Sequence, residues 1–157
     1  MTGARVRFVD TYVLHMDGDA GELGALALRR ANGGRCPGSW ETVHGTIEPG
    51  ETPVQASIRE LGEETGFTPV RLYNVSRVES FYEHRTDEVV LIPVFAAFVG
   101  DRRAPRLSHE HDQADWLTAA EAAARFAWPR ERRSLEDIIS LFGKGGGGLL
   151  DDVLRIC

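Results

Sequence analysis

Thr52, Pro53 and Gln55 together mark a helix start that leaves the backbone little alternative. Thr52 can accept a hydrogen bond from the third residue after it, Gln55 can return one, and Pro53 is pre-set for the first helical position. Gly66 supplies the left-handed residue that ends such a helix, so the sequence predicts a helix over Pro53–Thr65. Inside it stand Arg59, Glu60, Glu63 and Glu64. At roughly 100° per residue, Glu60 and Glu64 lie about 40° apart, and Glu63 about 60° to the other side of Glu60. Val54, Ile58, Leu61 and Thr65 share an arc of about 60° centred roughly 140° away, which predicts one packing face and a separate carboxylate face. Clustered like charges cost a few tenths of a kcal/mol per pair. Arg59, four residues before Glu63, offsets part of that repulsion, and a bound metal ion would offset the rest. Gly62, at a cost of about 1 kcal/mol in a helix interior, marks either a close approach or an ordinary surface position.

A chain of 157 residues with 42% hydrophobic content is long enough for one core and short for two. It shows neither an apolar run of membrane-spanning length nor a basic-plus-apolar leader, so the expected location is cytoplasmic, without membrane association. Cys36 and Cys157 form no disulfide framework and have no metal-ligand spacing around them. A net charge of −6 argues against nucleic acid as a partner. An acidic chain still binds a nucleotide-type small molecule when a metal ion carries the compensating charge.

Strands are expected at 5–16, 24–30, 40–44, 70–82, 88–99 and 115–117, with a hairpin turn at 17–21, loops at 31–39 and 101–113 and a polar turn at 83–87. Two further helices are expected, at 118–126 with Thr118 and Glu121 as its capping pair, and at 129–142 with Leu135, Ile138, Ile139 and Phe142 on one side. Strands and helices in this order define an α/β fold, a mixed β-sheet between helices in an α/β/α sandwich. Residues 1–142 make the expected domain. Residues 143–148 hold five glycines and read as a linker, and 149–157 as either a frayed end or a short amphipathic segment that docks on this domain or on a second subunit, which leaves a homodimer open.

The pattern Gly45, Glu51, Arg59, Glu60, Leu61, Glu63, Glu64, Gly66, Phe67 resembles, at every defined position, the signature of the Nudix (MutT-type) hydrolases. The resemblance implies a Nudix-type sandwich and a Mg²⁺-dependent enzyme, with Mn²⁺ as a substitute, that cleaves a nucleoside diphosphate linked to another moiety by attack of water on phosphorus. It further implies that Glu60, Glu63 and Glu64 ligate metal, joined by the backbone carbonyl of Gly45. Arg59 orients a glutamate and Glu51 supports the loop. The stretch from Leu107 through Trp116 into the alanine-rich helix is similar to the corresponding region of diadenosine-tetraphosphate hydrolases and of dATP or dihydroneopterin-triphosphate pyrophosphohydrolases. There the glutamate matching Glu110 is a metal ligand or the base. His109 and His111 read as surface residues or substrate contacts.

Substrate selection is expected from Trp40, Glu41 and His44, which precede the signature, and from Phe81, Tyr82 and Arg85 in the later hairpin; an aromatic could stack on a ring, and Arg85 or Arg35 could hold a terminal phosphate. The leading expectation is hydrolysis of a nucleoside or deoxynucleoside triphosphate to monophosphate and pyrophosphate. Dinucleoside polyphosphate and dihydroneopterin triphosphate are the alternative substrates, and a non-catalytic nucleotide-binding module is the alternative class.

Overall fold

The computed structural model describes residues 1–18 and 21–157. The turn expected at 17–21 therefore lies partly outside the described residues. The elements run β1 (Gly3–Val6), β2 (Phe8–Met16), β3 (Leu23–Arg30), β4 (Trp40–Glu41), β5 (Val43–Thr46), α1 (Pro53–Thr65), β6 (Arg71–Glu83), β7 (Glu88–Phe98), β8 (His111–Thr118), α2 (Ala119–Arg125), α3 (Pro129–Phe142), a 3₁₀ turn at Gly148–Leu150, and α4 (Asp151–Leu154). The sheet is mixed: β1 and β2 both run parallel to β7, whereas β2 pairs antiparallel with β3 and β5, β3 with β4 and β8, and β6 with β7.

Both faces of the sheet are covered, and side-chain alternation shows it directly. On β2, Val9 and Val13 point into the cluster under α1, with Thr11 bonded there to Ser57 at 2.7 Å, while Tyr12 and Leu14 point to the other side, where α2 and α3 contribute Phe126, Leu135, Ile138 and Phe142. Strand β7 repeats the alternation, with Phe95, Ala97 and, just beyond its end, Val99 on the α1 side and Val94, Ala96 and Phe98 on the α3 side. This is an α/β/α sandwich.

Several sequence expectations need correction. The strand expected over 5–16 is interrupted at Arg7, and that over 40–44 at Thr42, whose hydroxyl donates to the Thr11 carbonyl (2.7 Å) while its N–H donates to the Glu131 carboxylate. The short strand expected at 115–117 extends over His111–Thr118, because β3 supplies a pairing partner along nearly its whole length despite residues of low strand propensity. On α1 the buried residues are Ala56, Ser57, Glu60, Leu61, Glu64 and Thr65. Glu60 and Glu64 thus share the packed arc rather than facing away from it, and Ile58, expected to pack, is exposed. The helix lies with its carboxylate edge against β5, so burial spans roughly half its circumference. A Cβ at Gly62 would meet only the Phe67 carbonyl at 4.0 Å, which identifies it as an ordinary position. On α3, Ser134 and Glu131 are buried and Ile139 is exposed.

The segment after the glycines returns to the sheet edge. Leu154 enters the α3-side core, Tyr73 donates to Asp151 at 2.7 Å, and the Ile156 N–H bonds the Leu72 carbonyl at 2.8 Å.

Candidate active site

The capping box forms as expected, with Thr52 accepting from the Gln55 N–H and Gln55 accepting from the Thr52 N–H, and Gly66 closes the helix at φ 74°. This fixes the register of Arg59, Glu60, Glu63 and Glu64 against β5. Arg59 is the hub. Its Nε and Nη2 donate to the two oxygens of Glu51 at 2.8 and 3.0 Å, Nη2 also donates to the Thr46 carbonyl at 2.8 Å, and Nη1 donates to Glu60 at 2.8 Å and Glu63 at 3.2 Å. A bidentate guanidinium–carboxylate pair is the strongest such geometry available to side chains. It holds the Glu51 carboxyl below its ordinary pKa and raises that of Arg59.

Gly45 on β5 faces this cluster. A Cβ there would lie 2.0 Å from the Glu60 Cδ, so the glycine is what lets the Glu60 carboxyl sit against the strand. Glu64 is the outlier. It is 2% exposed, and neither carboxylate oxygen has a hydrogen-bond partner among the described residues. Burial, then the charges of Glu110, Glu41 and Glu60, push its pKa well above the ordinary carboxylate value, against a smaller opposing pull from the His44 backbone, which falls short of a hydrogen bond; Glu60 is also raised, chiefly by burial, against the opposing pull of Arg59. A buried, unpaired carboxylate flanked by others is an arrangement that protein groups leave unsatisfied and a divalent cation satisfies. Among the described residues no three acidic or imidazole groups form a preassembled ligand set; Arg59 holds Glu60 and Glu63 instead. The donor set is all oxygen, which suits a hard divalent cation.

Glu110 is exposed on the turn before β8, with its carbonyl accepting from the Ala31 N–H at 2.9 Å, and its charge reaches both Glu60 and Glu64. The adjacent His111 is not a loop surface residue. It begins β8, is 4% exposed, and its Nε2 meets Glu41 Oε1 at 2.9 Å, where Arg30 Nη1 also donates at 2.9 Å. The pairing of His111 with Arg30 across β3 and β8 buries it.

On the α3 side of the sheet opens a cleft of about 650 Å³, whose lining includes none of Glu60, Glu63, Glu64 and Glu110. Glu41, His44, Phe81 and Arg85 line it, together with Arg7, Phe8, Arg30, Arg35, Trp128, Arg130 and Arg133. Phe8 and Phe81 stack with centroids 6.3 Å apart. Trp40 is not part of the lining; it packs against the α3-side core beneath the Arg125 guanidinium, 4.9 Å from its ring. Phe8, Arg30, Trp128 and Arg130 escaped sequence reasoning because they come from segments far apart in the chain. The one available signal was Arg130 just after a helix-opening proline. In a chain of net charge −6, six arginines around one cleft form a local reversal of sign that attracts anions.

A mixed sheet lies between α1 and α2/α3, and the capped helix α1 presents its acidic residues against the strand that carries Gly45. Residues 6–138 match the NUDIX domain, and the chain belongs to the Nudix hydrolase family. Among its relatives, a MutT-like protein of Streptomyces ambofaciens is 33% identical over 102 residues, 65% of this chain and 60% of that one. The nucleoside triphosphatase NudI of Salmonella newport is 29% identical over 99 residues, 59% of this chain and 70% of that one. The chain spans only 30% of an octanoyltransferase of Myxococcus xanthus that it matches at 31% identity over 112 residues. Among solved structures, the Escherichia coli dihydroneopterin triphosphate pyrophosphohydrolase superposes with a TM-score of 0.65 at 25% identity, over 87% of this chain and 99% of that one.

Proposed function

We propose that this protein hydrolyses a nucleoside or deoxynucleoside triphosphate to the monophosphate and pyrophosphate, with Mg²⁺, or Mn²⁺ in its place, held by Glu60, Glu63, Glu64, Glu110 and the Gly45 carbonyl. The observation that carries this reading is the buried Glu64 carboxylate with both oxygens unpartnered, set among Glu60, Glu110 and Glu41. A divalent ion held there would neutralise polyphosphate charge and lower the pKa of a bound water. The chain's own residues supply the rest. Arg59, tied to Glu51, donates to Glu60 and Glu63 and so orients both carboxylates. Glu110, exposed beside Glu64, takes the proton as the water oxygen bonds to the α-phosphorus and the bond from that phosphorus to the bridging oxygen breaks, releasing pyrophosphate. The cleft arginines bind the anionic substrate, and Phe8, Phe81 and Trp128 offer ring surfaces for a base.

The NudI relative, a nucleoside triphosphatase, supports the triphosphate class. The likeness to the pterin triphosphate enzyme keeps that pterin as the second reading. A panel of nucleoside triphosphates, diadenosine tetraphosphate and dihydroneopterin triphosphate with Mg²⁺ tests both: pyrophosphate and nucleoside monophosphate are expected. Turnover of the pterin far exceeding every nucleotide selects the second reading, and no turnover of any member points to the non-catalytic binding module.

A further inference from the structure

Consecutive residues of β5 address opposite faces of the sheet: Gly45 faces the carboxylates of α1, while His44 faces α3. Directly across the strand pair from His44 is Asp10, fully buried on β2. Asp10 Oδ1 meets His44 Nδ1 at 2.7 Å, and Oδ2 accepts from Arg130 Nε at 3.0 Å, with Nη2 at 3.5 Å from Oδ1. One buried carboxylate thus anchors two side chains that both line the cleft.

The anchoring dictates what those side chains can offer. Burial opposes ionisation of Asp10, but the hydrogen bond and charge of His44 and the charge of Arg130 prevail and hold its pKa below the ordinary value, so Asp10 is an acceptor only. His44 Nδ1 then donates to Asp10, and Nε2 is the nitrogen left for a ligand, a donor to an anion when both ring nitrogens carry protons. Arg130 spends Nε and Nη2 on Asp10 and retains Nη1. Burial, then the charge of Asp10, raises the pKa of the neighbouring Glu131. The guanidinium is further held 5.3 Å over the Trp128 ring. A cation fixed this way loses little conformational entropy on binding an anion.

We propose that His44 and Arg130, positioned by Asp10, form a subsite that binds a phosphate group of the substrate other than the one attacked. This rests on the proposed function, because it places the reacting phosphate on the α1 face of β5 and the remainder of a phosphorylated substrate in the cleft on the α3 face. Asp10 is a positioning residue. It touches no substrate and acts through the two side chains it holds.

Calorimetric titration of the metal-free protein with inorganic tripolyphosphate reads the subsite without any turnover. Arg130→Gln and His44→Gln are each expected to weaken tripolyphosphate binding about tenfold or more, whereas Arg125→Gln, which removes an equal charge outside the cleft, weakens it less than about threefold. Arg130→Lys keeps the charge and loses the fork, so it recovers only part of the affinity. Asp10→Asn, where it folds as judged by circular dichroism, weakens binding as the Arg130 change does. With a hydrolysed triphosphate, the losses fall on KM more than on kcat. Unchanged tripolyphosphate affinity in both Arg130→Gln and His44→Gln, an equal loss in Arg125→Gln, or a fall in kcat with KM unchanged would each overturn the subsite. Tripolyphosphate binding that depends on these residues in a protein that hydrolyses no triphosphate would uphold the subsite and refute the proposed function.

Discussion

Replacing Glu64 by Gln should stabilise the metal-free protein while removing its response to Mg²⁺. The carboxylate is 2% exposed and has no hydrogen-bond partner among the described residues, a condition that costs about 1–3 kcal/mol for a polar group and more for a charge. Glutamine keeps the shape and removes the charge, so about 1–2 kcal/mol should be recovered, or roughly 2–8 °C in Tm for a chain of this size. The pH dependence has a definite sign. Burial first, then Glu110, Glu41 and Glu60, raise the Glu64 pKa in the folded state. The penalty is therefore absent below the unfolded carboxylate value of about 4.3, grows as pH rises toward the folded value, and is constant above it. Melting curves in EDTA from pH 4 to pH 8.5 should show the two proteins alike at the acid end and the variant higher at the alkaline end. Saturating Mg²⁺ should reverse the order, since an ion at about 100 times its Kd adds about 2.7 kcal/mol to wild type and much less to the variant. A variant less stable than wild type in EDTA at pH 8, or one with the same Mg²⁺ response, would refute the reasoning.

Glu110→Gln should leave the melting temperature within about 2 °C of wild type and lower kcat by about 10²-fold or more, read by pyrophosphate release; an unchanged kcat removes Glu110 from proton transfer. Gly45→Ala should displace the Glu60 carboxyl, which a Cβ would approach to 2.0 Å, and lower Mg²⁺-dependent activity at least tenfold with far-UV circular dichroism preserved; retained activity would show that Glu60 works from another position. Deleting residues 148–157 uncovers the cavity filled by Leu154 and frees the Tyr73 hydroxyl from Asp151, so the domain should lose about 2–3 kcal/mol of stability in urea denaturation; no change would mean that the docked tail contributes nothing to the fold.

Local chemistry in the sequence was enough to place α1 and α3 at their observed ends, because caps, prolines and Gly66 act within a few residues of where they stand. It was insufficient wherever a distant partner decides the outcome. Strand β8 exists through pairing with β3, and His111 is buried by the same pairing. The helical wheel located Glu60 and Glu64 side by side, yet it could not show that the strand carrying Gly45 would cover that edge and bury them. The acidic cluster is contiguous and readable. The cleft is assembled from β2, β3, β4, β5, β6, α3 and their loops, and its arginines look like ordinary surface charge until the sheet brings them together.

The central claim is that the α1 carboxylates hold the metal ion that drives hydrolysis. Pyrophosphate release from the best-hydrolysed nucleoside triphosphate, measured for wild type and Glu64→Gln over a Mg²⁺ titration, tests it most directly. The expected result is saturable, Mg²⁺-dependent release by wild type and a loss of about 10²-fold or more in the variant with its fold retained. Equal rates in the two proteins, or release by wild type that persists in excess EDTA, would contradict it.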